Sequence, residues 1–458
     1  MSLHPESLTV SRHASVAGAS GPSRAVASHL LRQQSQRLQR VVRLGLLLLV
    51  LGWLLSDATV AHAIPPFARR YGMSCSTCHV GGPNKLTPLG EAFRDNGYRI
   101  PGEDESFLRD PPIPMGAESR KSLFPNTVWP GELPAGLPIG ATAQFSGRVE
   151  IPGETGTGTS TAQISAAASL LFGGSLGKHI TMMGTVFVGS NGANLGQVFI
   201  VGRSLLQRWL GEGALNVKVG RMRLDLFPLQ PALQRSVLQP YSYDTAIGKD
   251  GFTLGQGADA IELFGLVKGR LKWVLGAANG RKPTDDLSSR RDVFARLQLK
   301  LGGTRLDYLN ASLADDAPTV LIGASTYIGT GVTTPAAPAS RFTNDIYRLM
   351  ADLRVRAHNL DLIGQVTLGQ DSDPDGNGTQ VRSLSWSAHL DYPIFPWLQP
   401  LVRYEESYSD SDSRPSRRRL VMGMQFFIRT NVRLRFEGAA GLTSNESHQF
   451  IGDLFYAL

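Results

Sequence analysis

From about Ala141 to Leu458 the chain alternates apolar and polar side chains with a period of two. Val293, Ala295, Leu297, Leu299 and Leu301 fall on one side, and Arg296, Gln298 and Lys300 on the other. Tyr347, Leu349, Ala351, Leu353 and Val355 likewise oppose Arg348, Asp352, Arg354 and Arg356. Val432, Leu434 and Phe436 oppose Arg433, Arg435 and Glu437. Successive side chains of an extended chain point to opposite faces, so the pattern predicts strands with one apolar and one charged face.

Two architectures satisfy that pattern. A soluble sandwich turns its apolar face inward and its charges to water. A membrane barrel turns its apolar face to lipid and its charges into a wet lumen. Three features favour the barrel. The segments approach the ten residues that a tilted membrane strand needs. An export signal precedes them, and no apolar helix long enough to span a bilayer interrupts them. The last segment, His448 to Leu458, carries Phe450, Phe455 and Tyr456, which suit a membrane interface. At roughly 20 residues per strand and connection, about 318 residues give about 16 strands.

The widest interruption, Leu224 to Gly257, contains Phe227-Pro228, Pro231 and Pro240-Tyr241 and reads as a long loop, outside the barrel or folded into it. Shorter loops are expected near Pro283 to Asp286, Thr333 to Ser340, and Asp410 to Ser416. Asp371 to Asn377 begins like a calcium loop, but its twelfth position is Arg382 rather than the required Glu, so an acidic hairpin explains it better. Arg417-Arg418-Arg419 reads as a strand entrance facing headgroups or lumen.

Before the strands the character is different. Arg40 and Arg43 precede the apolar run Leu44 to Leu55, and Ala61-His62-Ala63 supplies a cleavage site. Residues 1–63 therefore read as an N-terminal extension and signal peptide, with a mature chain from Ile64. Residues 64–100 read as a small helical module. Within it Thr87-Pro88 forms an N-cap with Pro in the first helical position, and a helix runs Leu89 to Asn96 until Gly97. Residues 101–140 are a Pro/Gly-rich linker, and 141–458 are the barrel.

The only two cysteines of the 458 residues lie in Cys75-Ser76-Thr77-Cys78-His79. C-x-x-C-H is the attachment spacing of c-type haem: one helical turn brings both thiols to one porphyrin edge, and the adjacent imidazole becomes an iron ligand. A zinc site would need further Cys or a spaced His pair. A redox dithiol would need a βαβ setting. Neither follows. The expected cofactor is one covalent haem c on Cys75, Cys78 and His79. Met115, in a Pro-flanked stretch, is the candidate distal ligand. Met73 is too close to the attachment site to swing round, and a five-coordinate or bis-His iron stays open. Leu89, Phe93 and Tyr98 would pack on the porphyrin or simply join the helices.

Composition narrows the partners. Charged residues are only 18% and Gly numbers 50, unlike an average soluble enzyme. Residues 1–63 hold six Arg against Glu6 and Asp57, so removing them lowers the net charge from +8 to +4. That is too mild for a nucleic-acid partner. No nucleophile elbow, phosphate loop or H-E-x-x-H occurs, and His179, His358, His389 and His448 are scattered among strands.

Residues 64–79 and Leu86 to Tyr98 resemble the fused monohaem cytochrome–porins of bacterial outer membranes. The likeness is carried by Pro66-Phe67-Ala68-Arg69, the haem motif, and Leu86-Thr87-Pro88-Leu89-Gly90 with Phe93 and Gly97-Tyr98, about 35 residues in all. It implies a haem role for Cys75, Cys78 and His79, and an iron:cytochrome oxidoreductase-like relay. An extracellular donor such as Fe(II) would pass electrons through the haem to a periplasmic cytochrome or similar acceptor, in a barrel held by outer-membrane lipid. The chain departs from the family's iron oxidisers at Glu91, where they carry a basic residue after the glycine, so the donor does not carry over. Two other functions fit the residues: a solute channel with a haem sensor or plug, and a periplasmic haem-binding β protein.

Overall fold

Backbone pairing turns the alternating segments into one closed sheet. In the computed structural model, residues 65–79, 85–102, 113–114, 132–133, 139–154, 158–176, 179–189, 192–229, 236–244, 246–248, 251–279, 292–306, 317–333, 342–411, 416–429 and 431–457 are described. The first eight barrel strands are β1 Ile139–Ile151, β2 Thr161–Leu176, β3 Ile180–Gly189, β4 Gly192–Gly202, β5 Asn216–Arg223, β6 Gly257–Val267, β7 Leu271–Ala278 and β8 Asp292–Gly302. The second eight are β9 Thr319–Thr333, β10 Phe342–Ala357, β11 Leu360–Asp371, β12 Val381–Asp391, β13 Leu398–Ser409, β14 Arg417–Arg429, β15 Val432–Gly441 and β16 His448–Ala457. Each pairs antiparallel with the next, and β16 returns to β1 with His448 opposite Ile151 and Ala457 opposite Thr142. Closure gives every strand a neighbour on both sides, although Thr161 to Ala166 of β2 run past the end of β3 and pair with β1 alone.

Side-chain direction follows the parity expected from the sequence. Leu297, Leu299 and Leu301 of β8 and Leu349 and Leu353 of β10 are exposed on the outside. Arg296, Lys300, Arg348, Asp352 and Arg354 are buried on the inside. The apolar face therefore points outward, and this overturns the sandwich alternative: a soluble sandwich would hide that face. Inside, the charges satisfy one another. Arg296 makes a two-pronged bond to Asp352, at 2.6 and 3.0 Å, and Arg435 Nε donates to Asp453 at 2.6 Å. Arg417 and Arg419 face inward to Glu446 and Glu405, whereas Arg418 points outward.

The connections divide into two ends. Short ones such as 268–270, 358–359 and 430–431 share an end with Ile139 and Ala457, here called the terminal end. The far end carries 224–256, the long interruption read from the sequence. That loop folds inward. Glu437 of β15 accepts from Ser236 Oγ at 2.8 Å and from the amides of Val237 and Leu238 at 2.8 and 3.1 Å. Glu405 accepts from the Tyr241 amide at 2.9 Å, and Arg403 donates to the Leu238 carbonyl at 2.8 Å. On the opposite wall the Leu226 carbonyl accepts from Arg296 and Ser325, at 3.0 and 2.7 Å. Leu224, Leu226, Phe227, Tyr243 and Leu254 of the loop then pack with Phe199, Met222, Phe294 and Tyr327 of the wall into an apolar core inside the barrel.

At the far end Asp373 accepts from the Asn377 and Gly378 amides at 2.8 and 3.0 Å, so the acidic stretch is a hairpin capped by its own side chain.

Candidate functional site

Among the described residues three short helices precede the barrel: α1 Pro65–Tyr71, α2 Cys75–Cys78 and α3 Pro88–Asp95. Cys75 opens α2 and Cys78 closes it, so one turn sets positions 75 and 78 on the same side. Thr87 joins the pieces. Its hydroxyl accepts from the Gly90 amide at 3.1 Å as the N-cap of α3 and donates to the Thr77 carbonyl at 2.8 Å. Its own amide donates to the Cys78 carbonyl at 3.0 Å. Gly90 lies against that same carbonyl, and a Cβ there would collide with it. The helix read from the sequence is therefore present within one residue, and its cap also fixes the cysteine turn.

Cys78 is half-buried, and His79 is half-buried beside it, paired by a bridge to Leu86. Tyr71, Leu89 and Ile100 form a small buried cluster with Met73 and Phe93 packed on it. Rings continue from there: Phe93 meets Tyr71 at 6.0 Å and Phe67 at 5.2 Å, and Tyr98 meets Phe93 at 6.0 Å and Phe199 of β4 at 5.8 Å. Tyr98, expected either on a porphyrin face or between the helices, packs on Phe67 of α1 and Phe93 of α3 and also links this segment to the barrel core. Burial pushes its phenol up to about 12, so the ring is neutral at any working pH. Met115 and residues 1–63 lie outside the described residues.

The segment is seated in the lumen at the terminal end by charged contacts that the sequence did not announce. Glu91 accepts from Arg354 at 2.9 Å and from Arg356 at 2.6 Å. Arg354 in turn holds Asp361 through two bonds, at 2.9 and 2.7 Å. Lys85 donates to Asp391 at 2.9 Å. Lys272 of β7 donates both to Asp95 of α3, at 2.9 Å, and to Asp225 of the inward loop, at 2.5 Å. Arg203 donates to the Asn96 carbonyl at 2.6 Å. Gly97, with φ +70°, lies where a Cβ would press on that Arg203 side chain. Ala92 completes the seat by packing with Leu266 and Leu306. Glu91 and Asp95 sit one helical turn apart and flank Ala92, so they share a face. That spacing was the available signal.

Burial alone would raise the Glu91 carboxyl, but Arg356, Arg354 and Arg94 outweigh it and hold it at about 2, against 4.5 in water. Burial likewise works against Asp95, and Arg94 and Lys272 hold it below the ordinary carboxylate range. Because Glu91 is more acidic when docked, its contact contributes fully above pH 4.5 and fades as pH falls towards 2. Pepsin digestion of the detergent-solubilised protein should therefore cut the N-terminal segment increasingly between about pH 4.5 and about pH 2, with Glu91→Gln less dependent on pH across that window. A cutting rate that stays flat in the native protein would remove Glu91 from the seat.

The residues present fit a covalent haem: two positions on one helical turn, a histidine adjacent, an apolar cluster alongside and a rigid cap holding the turn. Among the described residues no group of three or more His, Cys, Asp or Glu could hold a bare metal ion.

No protein-family model and no curated protein sequence matches the chain. Solved structures do. The anion-selective porin from Comamonas acidovorans superposes with a TM-score of 0.51 at 12% identity, over 70% of this chain and 98% of that one. The Salmonella typhi OmpF complex with daunomycin gives 0.49 at 11% over 70% and 97%, and the loop-deleted OmpT of Vibrio cholerae gives 0.47 at 11% over 70% and 99%. At such identity the first likeness speaks for the fold: the chain carries a porin-like, sixteen-stranded closed barrel.

Proposed function

We propose that this protein is an outer-membrane barrel whose lumen houses a haem-bearing N-terminal segment, and that it relays electrons across the membrane. The observation that carries the reading is the seat: the segment containing Cys75, Cys78 and His79 is locked to the inner wall through Glu91, Lys85 and Asp95. A redox group held there is shielded from lipid by sixteen strands and lies at the end where the barrel begins and ends. With the three- and two-residue turns 268–270 and 358–359 at that end and the longest loop, 224–256, at the other, the terminal end would face the periplasm.

When bound, haem supplies reversible one-electron exchange, with no proton or leaving group to manage. The protein's residues do the rest. Cys75 and Cys78 would anchor it through thioethers, His79 would ligate the iron, and Met115 is proposed as the second ligand. The cluster around Tyr71, Leu89 and Phe93 would keep water from the site. The donor is a one-electron reductant on the outside, Fe(II) among them, and the acceptor is a periplasmic cytochrome or equivalent carrier.

Anaerobic mixing of the oxidised protein with Fe(II) tests the donor. Haem absorption bands should move to those of the reduced state within the mixing experiment. Bands that stay oxidised with Fe(II) at every pH tried, yet move with dithionite, would remove iron as donor.

A second reading, a solute channel with the segment as its plug, is favoured by the porin-like barrel itself and by the inward arginines, which suit anions. Planar-bilayer recording separates the two. Steady anion conductance by the native protein supports the channel, and a closed trace supports the relay.

A further inference from the structure

The barrel wall is not of even height at the far end. β1 and β2 pair from Ile139 opposite Phe172 to Glu150 opposite Thr161 without a register shift. β3 meets β2 only from Leu176 opposite Ile180 to Ala167 opposite Gly189. Thr161 to Ala166 therefore overhang β3, bonded to β1 on one side and to no strand on the other. Each of them is exposed, Ile164 to 93%. In an antiparallel ladder every second residue turns its N–H and C=O to the same side, so this edge offers a row of unused donors and acceptors.

Open edges of folded proteins are blunted by charge, proline or a bulge. Thr161-Ala162-Gln163-Ile164-Ser165-Ala166 has none of these. Arg148 and Glu150 stand on β1, opposite Gln163 and Thr161, and so lie one strand back from the free edge. The outer face of this wall stays apolar to the same height. Val149 is exposed there and pairs with Ala162 on one side and with Phe450, also exposed, on the other. Lipid at that level leaves the open amides unsatisfied, and water at that level leaves Ile164 and Val149 uncovered. One added strand removes both costs.

We propose that Thr161 to Ala166 form a docking edge for an extended strand of another polypeptide at the far end of the barrel, held by backbone pairing. A second copy in the same membrane does not supply its own Thr161 to Ala166. The two segments would be related by an axis along the membrane normal, would run in one direction, and would set N–H against N–H. Side chains define the partner. Ser165 shares a bond of 3.0 Å with Ser146, two places from the inward Gln144 that donates to Asp453, so Thr161, Gln163 and Ser165 have inward parity. Ala162, Ile164 and Ala166 face outward. The added strand therefore alternates uncharged polar residues inside with apolar residues outside. The edge lies at the opposite end from the N-terminal segment, so the proposal stands with or without haem.

Amide hydrogen exchange of the full-length protein in detergent, read by mass spectrometry across this hairpin, tests it. In the protein alone, every second amide of 161–166 should exchange freely. A short synthetic strand of alternating valine and threonine, at millimolar concentration, should slow those amides at least about tenfold, and the same peptide with proline for valine should not. Ile164→Lys puts a charge on the edge at an exposed position, so its barrel should keep heat-modifiable migration and lose the slowing. Amides that stay fast in the native protein with the valine–threonine peptide would overturn the docking edge. Slowing that survives Ile164→Lys, or that the proline peptide gives equally, would overturn it as well. Slow exchange before any peptide is added would mean that this chain or a second copy already fills the edge, and the proposal would fall.

Discussion

Cys78→Ala is expected to abolish covalent haem staining of the protein while the barrel still folds. A c-type haem is held by thioethers formed from thiols on one helical turn, and α2 offers a turn whose closing residue is Cys78. The sixteen barrel strands pair with one another without this residue, which precedes them in the chain. The mutant band should therefore keep its heat-modifiable migration and lose its stain. His79→Ala should behave differently, retaining stain but shifting the absorption spectrum, because the imidazole ligates rather than tethers. Staining that survives Cys78→Ala would overturn the attachment of haem through both thiols of this turn, and a native band without stain would leave the segment a structural plug.

Glu91→Lys should unseat the segment. The native carboxylate is buried against two guanidiniums, Arg354 and Arg356, and its replacement sets three cations together in the lumen. Removing one partner of a buried ionic contact costs about 3–5 kcal/mol, which is large beside what the few short helices of this segment can gain by packing. Bilayer conductance should rise several-fold above the native trace, and pepsin should release residues 65–100 at pH values where the native segment resists. Pairing the change with Arg356→Glu should recover part of the loss, since the two charges then attract again. If the double variant were as open as the single one, Glu91 would not be an anchor.

The strands were legible where their two faces differed most. Arg296 against Leu297, or Arg354 against Leu353, leaves no doubt about period two, and the closed sheet follows that parity. The first strands were harder to read. Thr161–Leu176 is rich in Ala, Ser and Gly, and its first six residues pair with β1 alone, so both of their faces meet solvent. Charge contrast disappears where there is no buried charge to match. The long loop was visible from its prolines, but not its inward course, which depends on Glu405 and Glu437 far along the chain.

Glu91 is the clearest case of a residue whose contacts no local pattern carries. As sequence it is only a departure from the iron oxidisers' pattern. In the structure it bonds residues more than two hundred and sixty positions away. Pairings of that range are not written in any local period. The cysteine turn needed no such help, since spacing alone specifies its geometry.

Lys272 has one further consequence. Its ammonium is shared by Asp95 of the N-terminal segment and Asp225 of the inward loop, so neither carboxylate has the lysine to itself. Assembly is then a single event for both. A barrel made without its first hundred residues would not be this molecule with a part missing. Lys272 would lose half its partners and Arg354 and Arg356 would face water, so the loop would settle on different contacts. One ammonium thus ties the seat of the N-terminal segment to the course of the inward loop, and neither can be altered without the other.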